Sequence, residues 1–267
     1  MLSILSRQGI RRLWYFACVG GLSLGLVGGA IPQAAAPQQP PPAAASPLDE
    51  PLRLLAEARR SYQGVQDYSC TLIKRERLEG QPLTDNVIAM KVRTQPFSVY
   101  LRWQAPKALV GQEACYVAGK NNNMMRAHAK GLLGVAGWVS IDPRDPRAQK
   151  SSKHSITEAG IGNLIERFAG YWEKERALGV TQVRVADYEY NKRRCTRVET
   201  VRPENPGGQF TSYRSVLYFD QENHLPIRVE VYDWPKPGGS PDGELIEIYS
   251  YVDLRLNAGL GDDAFNY

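Results

Sequence analysis

The sequence carries only three histidines and four cysteines in 267 residues, and none of them stands in a pattern that announces chemistry. Cys18 falls in an apolar leader, which leaves Cys70, Cys115 and Cys195, an odd number that cannot all pair internally. Their spacing fits no zinc site. All three lie in strand-like segments, where buried unpaired thiols account for them, although one disulfide among them stays open in an oxidising compartment. His128, His154 and His224 occupy three separate polar or turn segments, and surface positions are expected for each. There is no Gly-x-Ser-x-Gly, no His-Glu-x-x-His, no phosphate loop and no Cys-x-x-Cys. The residues therefore point to no catalytic group, no metal and no cofactor.

Acidic residues are missing from the first 36 positions, which instead read as a secretory signal peptide. Arg7, Arg11 and Arg12 form a basic start, Leu13–Ile31 an apolar Gly-rich run, and Ala34-Ala35-Ala36 a small-residue end, with cleavage expected near Ala36. The Arg11-Arg12 pair does not separate general from twin-arginine export. Removing this leader takes the formal charge from +5 to +2, with 33 − 3 basic residues facing 28 acidic ones. No large positive field remains, so a nucleic-acid partner is not expected. Residues 37–47 (PQQPPPAAASP) form a Pro-rich tether unable to build a core. Residues 48–267 are then expected to form one domain.

Within that domain the hydrophobic periodicity alternates between two kinds. Leu48, Leu52, Leu55 and Tyr62 share a face of a helix over Asp49–Tyr62, with Asp49 available as its cap. Ile161, Leu164, Ile165, Phe168 and Trp172 repeat at helical spacing in a second helix over Ser155–Lys174. The other segments read as strands: Tyr68–Glu79, Thr84–Arg93, Phe97–Trp103, Gly111–Lys120, a short one over Met124–Ala129, and a hairpin turning at Asn191-Lys192. The run Lys74-Arg75-Glu76-Arg77 is read as a solvated strand face. Gly131–Ile141 is apolar on both sides and Gly-punctuated. It suits either a buried strand or core loop, or an apolar lip on a cavity.

The C-terminal stretch Ser212–Asp253 holds three further strands around which the rest is organised. Leu217 and Phe219 alternate with Val216 and Tyr218, and Ile227, Val229 and Val231 alternate with Arg228, Glu230 and Tyr232. Phe219, Ile227, Val229, Ile246 and Ile248 are therefore expected on the covered face. About ten antiparallel strands and two helices make an α+β fold, a curved antiparallel sheet with helices over its concave face. Such a sheet either packs solid or leaves an apolar pocket.

Several short motifs occur in a telling order. They are Val99-Tyr100-Leu101-Arg102-Trp103, Tyr116-Val117-Ala118-Gly119-Lys120, Leu217-Tyr218-Phe219-Asp220 with Leu225-Pro226, and Ile248-Tyr249-Ser250-Tyr251-Val252-Asp253 with Asp263-Ala264-Phe265. In this order they resemble the LolA/LolB-like periplasmic lipoprotein carrier superfamily. More specifically, the chain from Leu48 to Tyr267 resembles domain-of-unknown-function family 1571. The resemblance implies an unclosed β-barrel with helices as a lid, enclosing a hydrophobic cavity for acyl chains, and no established activity. The segment Ala127–Lys153 has no counterpart in a lipoprotein carrier, and the arginine with which carriers latch the lid is assignable to no single residue here.

The expected function is a noncatalytic periplasmic protein that binds lipid or the acyl chain of a lipoprotein, in transient contact with a membrane. An envelope scaffold or sensor binding a partner protein, and a hydrolase without a recognised motif, are the alternatives. Leu132, Leu133, Val135 and Trp138 are the expected lip, with Phe219, Ile227 and Val229 in the cavity wall.

Overall fold

A computed structural model describes residues 45–129, 137–146 and 152–266. The leader, most of the tether and the expected lip residues Leu132, Leu133 and Val135 lie outside the described residues. The fold is α+β: among the described residues, eleven strands form one open antiparallel sheet, with two helices on one face.

Strands β1 (Asp67–Glu76), β2 (Asn86–Arg93), β3 (Ser98–Ala105), β4 (Glu113–Val117), β5 (Met125–His128) and β6 (Val139–Ile141) form one meander. Strands β7 (Gln182–Tyr190), β8 (Arg193–Val201), β9 (Arg214–Asp220), β10 (Pro226–Tyr232) and β11 (Leu245–Leu256) form a second. The two meanders join through β1 and β11, giving the order β6-β5-β4-β3-β2-β1-β11-β10-β9-β8-β7. Helix α1 (Asp49–Gln63) precedes β1, and α2 (Ile161–Leu178) lies in the connection from β6 at one edge to β7 at the other. The β7–β8 hairpin turns at Asn191 and Lys192, both at positive φ, as a two-residue turn matched to strand twist demands.

The apolar stripes seen in the sequence make the core. Leu48 just before α1, Leu55 and Ala58 of α1, and Ile161, Leu164, Ile165 and Trp172 of α2 are buried with Ile88, Val198, Leu217 and Val229 of the sheet. Asp49 is the first helical residue and does not cap α1; its carboxylate instead accepts from the Ser46 amide at 2.8 Å and pairs with Arg176 at 2.8 Å. Arg59 clamps Glu166 through two bonds of 2.7 Å, tying the helices together. The three remaining cysteines are buried free thiols, and burial pushes Cys70 up to about 12 and Cys115 up to about 11.

Three expectations about facing need correction. A bulge at Ile227, where Pro226 and Arg228 pair with the adjacent Phe219 and Tyr218, turns Ile227 to the outer face. There it packs with Cys195, Val216 and Tyr218, while Val229 stays inside. Ile248 pairs with Glu230 and Tyr249 with Val229, so Ile248 turns outward and Glu247, Tyr249 and Tyr251 face the helices, while Ile246, at a register shift, borders a hollow with Glu247 and Arg167. Lys74 and Glu76 are not solvated, each being only 6% exposed on the inner face.

The start of α2 is set against β1 by a close approach. Gly160 has φ 99°, and a Cβ there would lie 2.7 Å from the Tyr68 hydroxyl, which accepts from the Ile161 amide at 2.9 Å. Gly160→Ala is expected to cost about 2 kcal/mol or more through left-handed strain and overpacking. Thermal unfolding should show that as a midpoint lowered by roughly 4–8 °C; an unchanged midpoint would mean that α2 is not seated this way.

Candidate functional site: an apolar cavity with a polar end

The space between α2, the segment before it and the β1–β5 half of the sheet is not filled. A cavity of about 240 Å³ remains there. Leu72, Ile88, Met90, Leu101 and Trp103 form its floor on β1, β2 and β3, and Ile156 and Leu164 its roof.

One end of the cavity is polar. Lys74 Nζ lies 3.0 Å from Glu76 Oε2 and donates to Ser152 Oγ at 3.0 Å. Glu76 Oε1 accepts from Ser152 Oγ at 3.2 Å, from the Lys153 amide at 3.3 Å and from the Tyr249 hydroxyl. Burial works against the Glu76 charge, but Lys74, then these hydrogen bonds, outweigh it and hold the carboxyl below its ordinary range. Burial, followed by the Glu247 and Glu76 charges, pushes the Tyr249 hydroxyl well above its ordinary value.

His154 sits beside this group. Its Nε2 is 2.9 Å from Glu247 Oε2 and its Nδ1 3.0 Å from Arg167 Nη1. The same Arg167 Nη1 lies 3.2 Å from Nε2. Glu158 Oε2 is 3.5 Å from Nδ1. His154 is thus no surface residue. Its partner Glu247 is 93 positions away in the chain, and the only local hint was Glu158 four residues on, a spacing too common to single out.

The expected site residues that are described lie elsewhere, and Leu132, Leu133 and Val135 fall outside the described residues. Trp138 lies on the outer face, its ring 5.5 Å from His128 and under Arg126 at 5.8 Å. Arg126 and His128 alternate with Met125 and Ala127, which line the cavity, so Trp138 is on the wrong side to be a lip. Phe219 and Val229 are in the core cluster, 2% and 0% exposed, rather than in the cavity wall. Ile227 is outside, as described. No cluster of His, Cys, Asp or Glu that could hold a metal occurs among the described residues.

Solved structures with a similar outline include an uncharacterized conserved protein from Thermus thermophilus, with 9% identity over 82% of this chain and 94% of that one, TM-score 0.47. Lipoprotein LppX from Mycobacterium tuberculosis is 10% identical over 79% and 96%, TM-score 0.43. A LolA superfamily protein from Nitrosomonas europaea is 10% identical over 80% and 96%, TM-score 0.36. Among curated proteins, none matches the chain significantly. Residues 65–267 match the family described as "Protein of unknown function (DUF1571)", and the chain belongs to that family.

Proposed function

We propose that the chain is a noncatalytic binding protein of a bacterial envelope, holding the acyl chain of a lipid or lipoprotein in the cavity under α2. The observation that carries this reading is the unfilled apolar space itself. A volume of about 240 Å³ walled by Leu72, Ile88, Met90, Leu101 and Leu164 leaves apolar surface with no partner among the described residues, and each methylene buried there contributes about 0.8 kcal/mol. The basic, apolar and small-residue leader ending at Ala36 supports export. No helix among the described residues is long and apolar enough to cross a membrane.

Titration with a fluorescent fatty acid tests the reading. Wild type should bind saturably. Ala127 lines the cavity from the short strand β5, so Ala127→Phe should fill the space from its edge without disturbing the core. Displacing about two methylenes weakens affinity about tenfold, with thermal stability kept. No saturable binding by wild type, or equal binding by a folded Ala127→Phe, would sink the proposal.

A hydrolase is the second reading, because His154 and Glu247 form a base-and-carboxylate pair on the cavity's polar side. It lacks a nucleophile. Among the described residues no serine, threonine or cysteine bonds to His154, and the hydroxyl of Ser152 is engaged by Lys74 and Glu76. Lys74, paired with Glu76, is a charged donor to Ser152 rather than an acceptor of its proton.

A further inference from the structure

The apolar cavity does not end at His154. A second cavity of about 560 Å³ adjoins it, and the two share His154 and Arg167 in their walls. The second is basic. Arg77, Lys153, Arg167, Lys174 and Arg202 line it, against Glu175, Asp233 and Glu247. Each of those three carboxylates is already engaged. Glu175 accepts from Arg202 Nε at 2.8 Å and from Thr181, Asp233 pairs with Arg77 at 2.6 Å, and Glu247 holds His154. Lys153, Arg167 and Lys174 are left with no carboxylate partner among the described residues, and five cations against three carboxylates leave a surplus of two positive charges facing one hollow. A second and independent observation concerns Arg202, which is 2% exposed. Its Nε and Nη2 are bonded to Glu175, Thr200 and Ser215, yet its Nη1 is buried without a hydrogen-bond partner among the described residues. Buried guanidinium donors are ordinarily satisfied.

We propose that this second cavity receives the anionic group, a carboxylate or a phosphate, of an amphiphile whose acyl chain occupies the first. The inference rests on the acyl-binding reading and specifies its ligand class. Arg167 stands where the two cavities meet. Its Nη1 lies against the His154 ring, 3.0 Å from Nδ1, which orients the guanidinium and leaves its other donors for an oxyanion. Lys153 and Lys174 supply charge from the segment before α2 and from α2 itself. A neutral head would leave all three cations facing water alone.

The test is displacement of a neutral apolar fluorophore by dodecanoate, dodecyl phosphate and dodecanol below their aggregation limits, with inorganic phosphate as the chainless arm. Wild type should bind both anionic amphiphiles about tenfold or more tighter than dodecanol, and the ratio should shrink with added salt. Lys153→Gln combined with Lys174→Gln, neither of which lines the acyl cavity, should cut that ratio severalfold while leaving dodecanol affinity unchanged. Equal affinity for the three amphiphiles, or a ratio that survives in the folded double variant, overturns the anionic-head inference and leaves the acyl cavity standing. Failure of all three to displace the fluorophore overturns the acyl cavity itself and this inference with it. Inorganic phosphate binding as tightly as dodecyl phosphate would show a free-anion site instead, and overturns it too.

Discussion

Glu76→Gln is expected to lower stability by about 3–5 kcal/mol at neutral pH, the usual consequence of removing one member of a buried ion pair. Lys74 and Glu76 are both 6% exposed. Glutamine keeps the shape and can still accept from Tyr249, so the loss isolates the charge on Lys74 that no longer has a counterpart. The pair Lys74→Met with Glu76→Leu should recover most of it, because an apolar replacement of both partners removes the desolvation cost along with the attraction. The pH dependence follows from the direction of the Glu76 shift. Its folded-state value is held below the ordinary 4.5. The contribution to stability is therefore fully present above that ordinary value and is lost as pH falls through the depressed one. Denaturant unfolding of wild type and Glu76→Gln should accordingly converge on acidification. A constant gap at all pH values, or no gap at pH 7, would mean the pair is not buried as described.

Val229→Asp should have an effect of at least similar size. Val229 is 0% exposed in the core cluster, opposite Leu217 on β9 and Tyr249 on β11. An aspartate there buries a carboxylate with no cation in that cluster and also leaves a void, two mechanisms that place a substitution among the most damaging, at about 4–5 kcal/mol or beyond. Ile227→Asp, two residues away, is the internal control. The bulge puts Ile227 on the outer face, in a cluster bordered by Tyr190 and Tyr232, where Arg228 and Arg197 stand close to the Tyr218 ring. It should cost less. Equal losses at 227 and 229 would contradict the bulge.

That contrast also shows how much of the fold is legible in the sequence. Period-two alternation located every strand from β1 to β5 and β7 to β11, because half-buried strands must alternate. It did not decide which side turned inward. On β10 the alternation is broken by one bulged residue, which leaves no mark in hydropathy. On β11 both sides are apolar enough, and the inner one carries Glu247 between aliphatic and aromatic neighbours. The same ambiguity misled the reading of Lys74 and Glu76, since alternating charge on a strand is ordinarily the wet side. Polar residues lining a cavity imitate a solvated face, and His154, Glu247 and Arg167 become a group only when three distant segments meet. The two helices were clearer, their stripes being long, although the second begins at Ile161, after a separate 3-10 turn at Ile156–Glu158, rather than at Ser155.

The open ends of the sheet carry one more consequence. Among the described residues β7 pairs only with β8, so its nine residues present one backbone edge to solvent, with Val185 and Tyr188 exposed beside it. An edge of that length is a template on which a second copy, or an unfolded neighbour, can add strands without limit. What stands against such ribbon growth is Arg184, Asp187 and Glu189 along the same strand, whose charges would be stacked like upon like, or stripped of water, by edge-to-edge addition. Colloidal behaviour at high concentration is thus governed by a part of the molecule remote from the cavity, and by three exposed side chains that contribute little to the core of the single chain.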